Sequence, residues 1–91
     1  MELNEIREKI DSIDREILKA LNSRMELSLR TKRFKKGVRD VKREEEILDR
    51  LKRNRGSFPA LRGEFIDRLF ALILAESRKI QEESWKLIGK N

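Results

Sequence analysis

Ninety-one residues are enough for one small domain, and residues 1–91 are expected to fold as a single unit. Only 37% of them are apolar while 44% are charged, and 23 Lys and Arg against 17 Asp and Glu leave a net charge of +6; the core must be thin and the partners anionic. The absence of Cys excludes disulfides and thiolate metal sites, and the absence of His removes the usual general base and commonest metal ligand.

From Leu3 to about Lys35 the chain contains no Gly and no Pro, and Leu3, Ile6, Ile10, Ile13, Ile17 and Ala20 recur in steps of three and four. That spacing predicts an amphipathic helix with a seam close to a coiled coil. At about 100° per residue, Arg24, Ser28, Thr31 and Lys35 continue the line of Ile6 and Ile17. The seam thus turns from apolar to cationic. Its first part is expected to build the core and its last part to wall an anion site. A helix of about 33 residues is roughly 50 Å long, more than a compact chain of this size is wide. Dimerisation through it is the simplest way to cover its stripe.

The first helix is expected to stop near Lys36-Gly37, with Asp40 as N-cap of a second helix from Val41 to about Arg53. Ile47, Leu48 and Leu51 form the second stripe; Glu44 lies on it and Arg43 flanks it. Ser57-Phe58-Pro59 predicts a turn, with Pro59 near the first position of a third helix running from about Ala60 to Ile88. Ile66, Phe70 and Ile73 form its stripe, which Ser77, Gln81 and Ser84 continue in polar form, and Trp85 is expected in a core or interface. Strand signals are absent from the sequence, so the fold class is all-α: three helices, long, short and long.

Taken singly, each polar seam residue has an ordinary explanation. Arg24 would snorkel, Lys35 and Glu44 would complement helix dipoles, and Ser77 and Gln81 would mark an exposed helix end. Five such positions on three helices are a different matter, because helices of a bundle bring their seams together. The expected site is a pocket rich in cations and hydrogen-bond donors with one carboxylate. A competing reading is nucleic-acid binding through Arg30–Arg39, which holds six basic residues and no acid. Only Phe34 is available there to stack on a base, which weighs against it. The sequence shows no run long enough to cross a membrane and no signal-peptide pattern, from which a cytoplasmic protein is expected.

The run Ile6-Arg7-Glu8-Lys9-Ile10-Asp11-Ser12-Ile13-Asp14 resembles the opening of the all-helical chorismate mutases. So do Ala20-Leu21-Asn22-Ser23-Arg24-Met25, then Lys35, and Arg39-Asp40-Val41-Lys42-Arg43-Glu44, while Ser77-Arg78-Lys79-Ile80-Gln81 resembles the closing motif. One departure is a connector between Lys35 and Asp40 several residues shorter than is typical, so that Lys36 or Lys32 stands in reach of the role of Lys35 if the first helix ends early.

The resemblance implies an intertwined homodimeric helical bundle that rearranges chorismate to prephenate, the branch step toward phenylalanine and tyrosine, without a cofactor or metal. It implies that Arg24 and Arg7 of the other subunit bind one substrate carboxylate, with Arg43 nearby and Ser77 assisting. Lys35 and Gln81 would donate to the ether oxygen, and Glu44, with Asp40 as a further candidate beside it, would accept from the ring hydroxyl. Arg7 lies about 100° off the stripe of its own helix, which suits a residue that serves the neighbouring subunit. Isochorismate pyruvate lyase is the alternative within the same chemistry, and a basic helical nucleic-acid-binding dimer the alternative outside it.

Overall fold

In the computed structural model, residues 2–34 and 40–89 are described, with the backbone alone for Lys32 and for 85–89. Three α-helices follow one another: α1 (Leu3–Thr31), α2 (Val41–Asn54) and α3 (Gly63–Gly89). A 3₁₀ turn over Lys32–Phe34 ends the first, and another over Arg55–Ser57 ends the second. Among the described residues there is no strand. The order long, short, long agrees with the periodicity of the three apolar stripes.

Two boundaries differ from those expected. The α-helical part of α1 stops at Thr31 rather than near Lys36-Gly37. No Gly or Pro stops it there; instead the Thr31 hydroxyl donates back to the Ser28 carbonyl at 2.7 Å, and the chain tightens into 3₁₀. Pro59 is not near the first position of α3. It sits in a turn closed by the Leu61 amide donating to the Phe58 carbonyl at 2.9 Å, where the fixed φ of proline suits the second turn position. The third helix starts later, with Phe65 and Ile66 donating to the Arg62 carbonyl at 3.0 and 3.1 Å. Asp40 caps α2 as expected: its backbone is extended and its carboxylate accepts from the Arg43 amide at 3.0 Å.

α3 packs on both α1 and α2. Its buried face consists of Ile66, Ile73 and Leu74, followed by Ser77 and Gln81. Phe70, expected with them, is half-buried. From α2, Ile47, Leu48 and Leu51 contribute half-buried side chains. Opposite the predicted N-cap end, Arg55 pairs with Asp67 and lies across Gly63, where an added Cβ would come within 2.8 Å of its guanidinium. This clasp ties the end of α2 to the start of α3.

The N-terminal half of α1 does not build a core within its own chain. No residue of α1 is buried, and Ile6, Ile10, Ile13 and Ile17 are 40–59% exposed. The molecule measures 57 × 28 × 17 Å with a radius of gyration of 16.6 Å, against about 12 Å for a compact chain of this length. The physical reason is the one anticipated from length: α1 outruns anything the other two helices can cover.

Ile73 is 7% exposed at the centre of the α3 face. Replacing it with Ala is expected to cost about 2–4 kcal/mol in a denaturant titration, while Glu76→Ala, one turn away on the exposed side, is expected to stay within about 0.5 kcal/mol.

Candidate active site

Where the α3 face turns polar, the three helices enclose a cleft of about 290 Å³, close to the lower end of small-molecule sites at about 300 Å³. From α1 come Arg24, Leu27, Ser28 and Thr31; the start of α2 supplies Asp40, Arg43, Glu44 and Ile47; α3 supplies Leu74, Ser77, Arg78 and Gln81. Six of the eight residues singled out from the sequence therefore meet around one hollow: Arg24, Asp40, Arg43, Glu44, Ser77 and Gln81. Lys35 lies outside the described residues, as does Lys36, and only the backbone of Lys32 is described. Arg7 is exposed and does not line the cleft. Seventeen residues of helix separate it from Arg24, about 25 Å along the axis, so it cannot serve the cleft of its own chain.

Burial sets the donors in place. Gln81 is 2% exposed and Ser77 7%. Gln81 donates through Nε2 to the Ser77 hydroxyl at 3.1 Å, and Ser77 donates to the Ser28 hydroxyl at 2.9 Å. This chain of bonds crosses from α3 to α1 and fixes the orientation of the Gln81 amide.

The cations are placed differently from one another. Nη1 of Arg24 is buried and has no hydrogen-bond partner among the described residues. Burial, and secondarily the like charge of Arg43, pull the pKa of Arg24 down from its ordinary value. Guanidinium remains protonated in proteins, so Arg24 stays a charged donor whose solvation is incomplete. Such a group is costly until an anion reaches it. Arg43 makes a partly exposed ion pair with Glu46 at 3.5 Å.

Arg78 was not singled out from the sequence. Its Nη1 grips both carboxylate oxygens of Glu44, at 2.7 and 2.8 Å. The signal was present in the spacing: Arg78 stands four residues after Leu74 and three before Gln81, hence on their side of α3.

A cleft that holds an arginine with a buried nitrogen unpartnered among the described residues, a second arginine beside it and a buried amide has the chemistry to receive a small anion. A family model described as chorismate mutase type II matches residues 6–82, more than four-fifths of the chain. The chain belongs to the type II chorismate mutase family. It is thus a chorismate mutase, an isomerase of an all-helical family, and the match covers every residue that lines the cleft. No curated protein and no solved structure matched the sequence.

In a chorismate mutase, the unpaired state of Arg24 has a measurable consequence. Arg24→Met keeps the aliphatic stem and removes the buried charge. The variant is expected to be as stable as the wild type or more so, by on the order of 1 kcal/mol in thermal melts, while chorismate turnover falls by at least about a hundredfold.

Proposed function

We propose that the cleft holds chorismate as a dianion and that each cleft is completed by a second copy of the chain. The observation that carries this reading is Arg24: a half-buried arginine whose Nη1 is buried with no hydrogen-bond partner among the described residues, beside a second arginine, at the point where three helices turn from apolar to polar. The reaction is intramolecular. As the ether C–O bond breaks and a C–C bond forms, negative charge grows on the ether oxygen, and no nucleophile or redox partner takes part. The protein's work is to hold the compact reactive conformer and to place donors where charge develops.

In this reading Arg24 and Arg7 of the partner subunit clamp one carboxylate, since guanidinium matches carboxylate bidentately. Arg43 lines the site beside them and Ser77 assists. Gln81 donates to the ether oxygen together with Lys35, assigned on sequence position and motif. Glu44, with Asp40 at the same end of α2, accepts from the ring hydroxyl. The cell would use this activity at the branch toward phenylalanine and tyrosine.

The homodimer rests on two supports. The isoleucine stripe of α1, Ile6 to Ile17, is exposed over about three turns, which is the kind of apolar surface that marks an interface. Arg7 sits on that same half of α1, about 25 Å from the cleft of its own chain. No described helix is long and apolar enough to cross a membrane, so a membrane span is not what covers the stripe. The basic run Arg30–Arg39 that prompted a nucleic-acid reading falls partly outside the described residues, and the family match lends it no support.

Spectrophotometric assay of the purified chain is expected to show loss of chorismate with formation of prephenate; absence of turnover overturns the reading. Lys35→Ala is expected to lower kcat by about 10²–10³ with the fold intact. Sedimentation is expected to give about twice the 10.9 kDa chain mass. Arg7→Ala and Arg24→Ala, each inactive alone, are expected to recover about a quarter of wild-type activity when mixed equally and allowed to exchange subunits, because half the dimers are then mixed and each carries one intact site.

A further inference from the structure

Ser28 stands one turn after Arg24 on the wall that α1 gives to the cleft, and it is half-buried there. Across the cleft on α3, Ser77 is buried and both sides of its hydroxyl are in use: the oxygen accepts from Gln81 Nε2 at 3.1 Å, and the proton goes to the Ser28 oxygen at 2.9 Å. A hydroxyl has one proton. Having given it to Ser28, Ser77 has none left for a ligand. Ser28 accepts that bond and still holds its own proton. A helical serine can return its proton to the carbonyl four residues back, but no such bond of Ser28 occurs among the described residues. Thr31, the next polar residue of the seam, shows the contrast, since its hydroxyl is spent on the Ser28 carbonyl.

We propose that Ser28 is a further substrate-binding residue, whose hydroxyl donates to the substrate carboxylate that Arg24 holds, and that Ser77 assists as a positioning residue through it. The inference rests on the proposed function, since it takes Arg24 as a carboxylate ligand. Side chains four residues apart on a helix are neighbours, about 5–6 Å between Cβ atoms. A carboxylate that reaches the buried Nη1 of Arg24 therefore has the Ser28 hydroxyl within reach of its second oxygen. The bonds that lead to Ser28 all run one way. They start at an amide N–H, and each hydroxyl accepts from one neighbour and donates to the next. Hydrogen bonds aligned in this way polarise one another, so the last proton of the series, that of Ser28, is the one best prepared to meet an anion. The same bonds hold Ser28 in place from α3, a helix other than its own.

Steady-state kinetics on Ser28→Ala, Ser77→Ala and the double variant test this, with circular dichroism and thermal melts reporting on the fold. Ser28→Ala is expected to raise KM for chorismate about tenfold, the ordinary size of one hydrogen bond to a charged group, while kcat changes by less than about threefold. Ser77→Ala is expected to raise KM about threefold when Ser28 is present, and by less than about 1.5-fold when Ser28 is already Ala, since no hydroxyl is then left to position. If Ser28 serves only to tie α1 to α3, Ser28→Ala lowers the melting temperature and leaves KM unmoved, and that result overturns the proposal. An equal rise in KM for Ser77→Ala in both backgrounds overturns it as well, because Ser77 would then meet the substrate directly. An inactive wild-type protein would instead overturn the proposed function itself, whereas an active wild type with unaltered KM in Ser28→Ala overturns this inference alone.

Discussion

The packing of the chain runs through one face of α3. From Ile66 to Leu74 that face is apolar and joins α1 and α2. One turn later it carries Ser77 and Gln81, which are as deeply buried as the isoleucines. Buried polar groups are tolerated only when paired, and here the pairing runs through Ser77 to Ser28 on α1. Core and cleft are therefore consecutive stretches of one surface. The contacts that hold the helices together also fix the donors of the site, so the site inherits the rigidity of the core without a loop to carry it.

The charges in the cleft follow a matching division. Both acids are engaged by the scaffold. Asp40 spends an oxygen on capping α2, which also determines where that helix begins. Glu44 is gripped by Arg78. Arg24 is the opposite case, half-buried and with a guanidinium nitrogen left unsatisfied. Equal numbers of acid and base would make a neutral, self-satisfied interior. The lining instead holds three arginines, Arg24, Arg43 and Arg78, against the two carboxylates, and in the proposed reading that excess is what a dianion meets.

What the sequence disclosed, and what it did not, follows from the range of the interactions involved. Periodicity revealed Ile66 and Ile73 because burial on a helix recurs at a fixed angle. It revealed Arg24, Ser77 and Gln81 by the same rule, as polar groups standing where the next apolar residue was due. Asp40 was legible because N-capping is local, between residues three apart. The stop at Thr31 was not, since a hydroxyl bonding back to the Ser28 carbonyl leaves no Gly or Pro as a sign. Pro59 was misplaced because proline suits both a helix start and the second position of a turn, and only the Leu61–Phe58 bond separates the two. Arg78 was quoted only within the closing motif: its partner lies 34 positions away on another helix, and helical phase alone does not identify a bond between helices. Arg7 entered through the family resemblance, since the stripe of its own helix points elsewhere.

Among the described residues, two deficits lie at opposite ends of α1. At one end, Ile6, Ile10, Ile13 and Ile17 face solvent; at the other, Arg24 lacks a partner for its buried nitrogen. The first deficit is apolar and calls for a protein surface; the second is electrostatic and calls for an anion. In the proposed dimer one event addresses both, because the half of α1 that brings the isoleucines to the second subunit also carries Arg7 toward that subunit's cleft. Such an arrival adds positive charge beside Arg24 rather than cancelling it. Assembly then covers the exposed stripe while deepening the demand for an anion in the cleft. Any ligand that binds the folded dimer more tightly than the unfolded chain stabilises it in proportion. For this protein the substrate's two carboxylates would be that ligand, completing an interior that the chain by itself leaves short of negative charge.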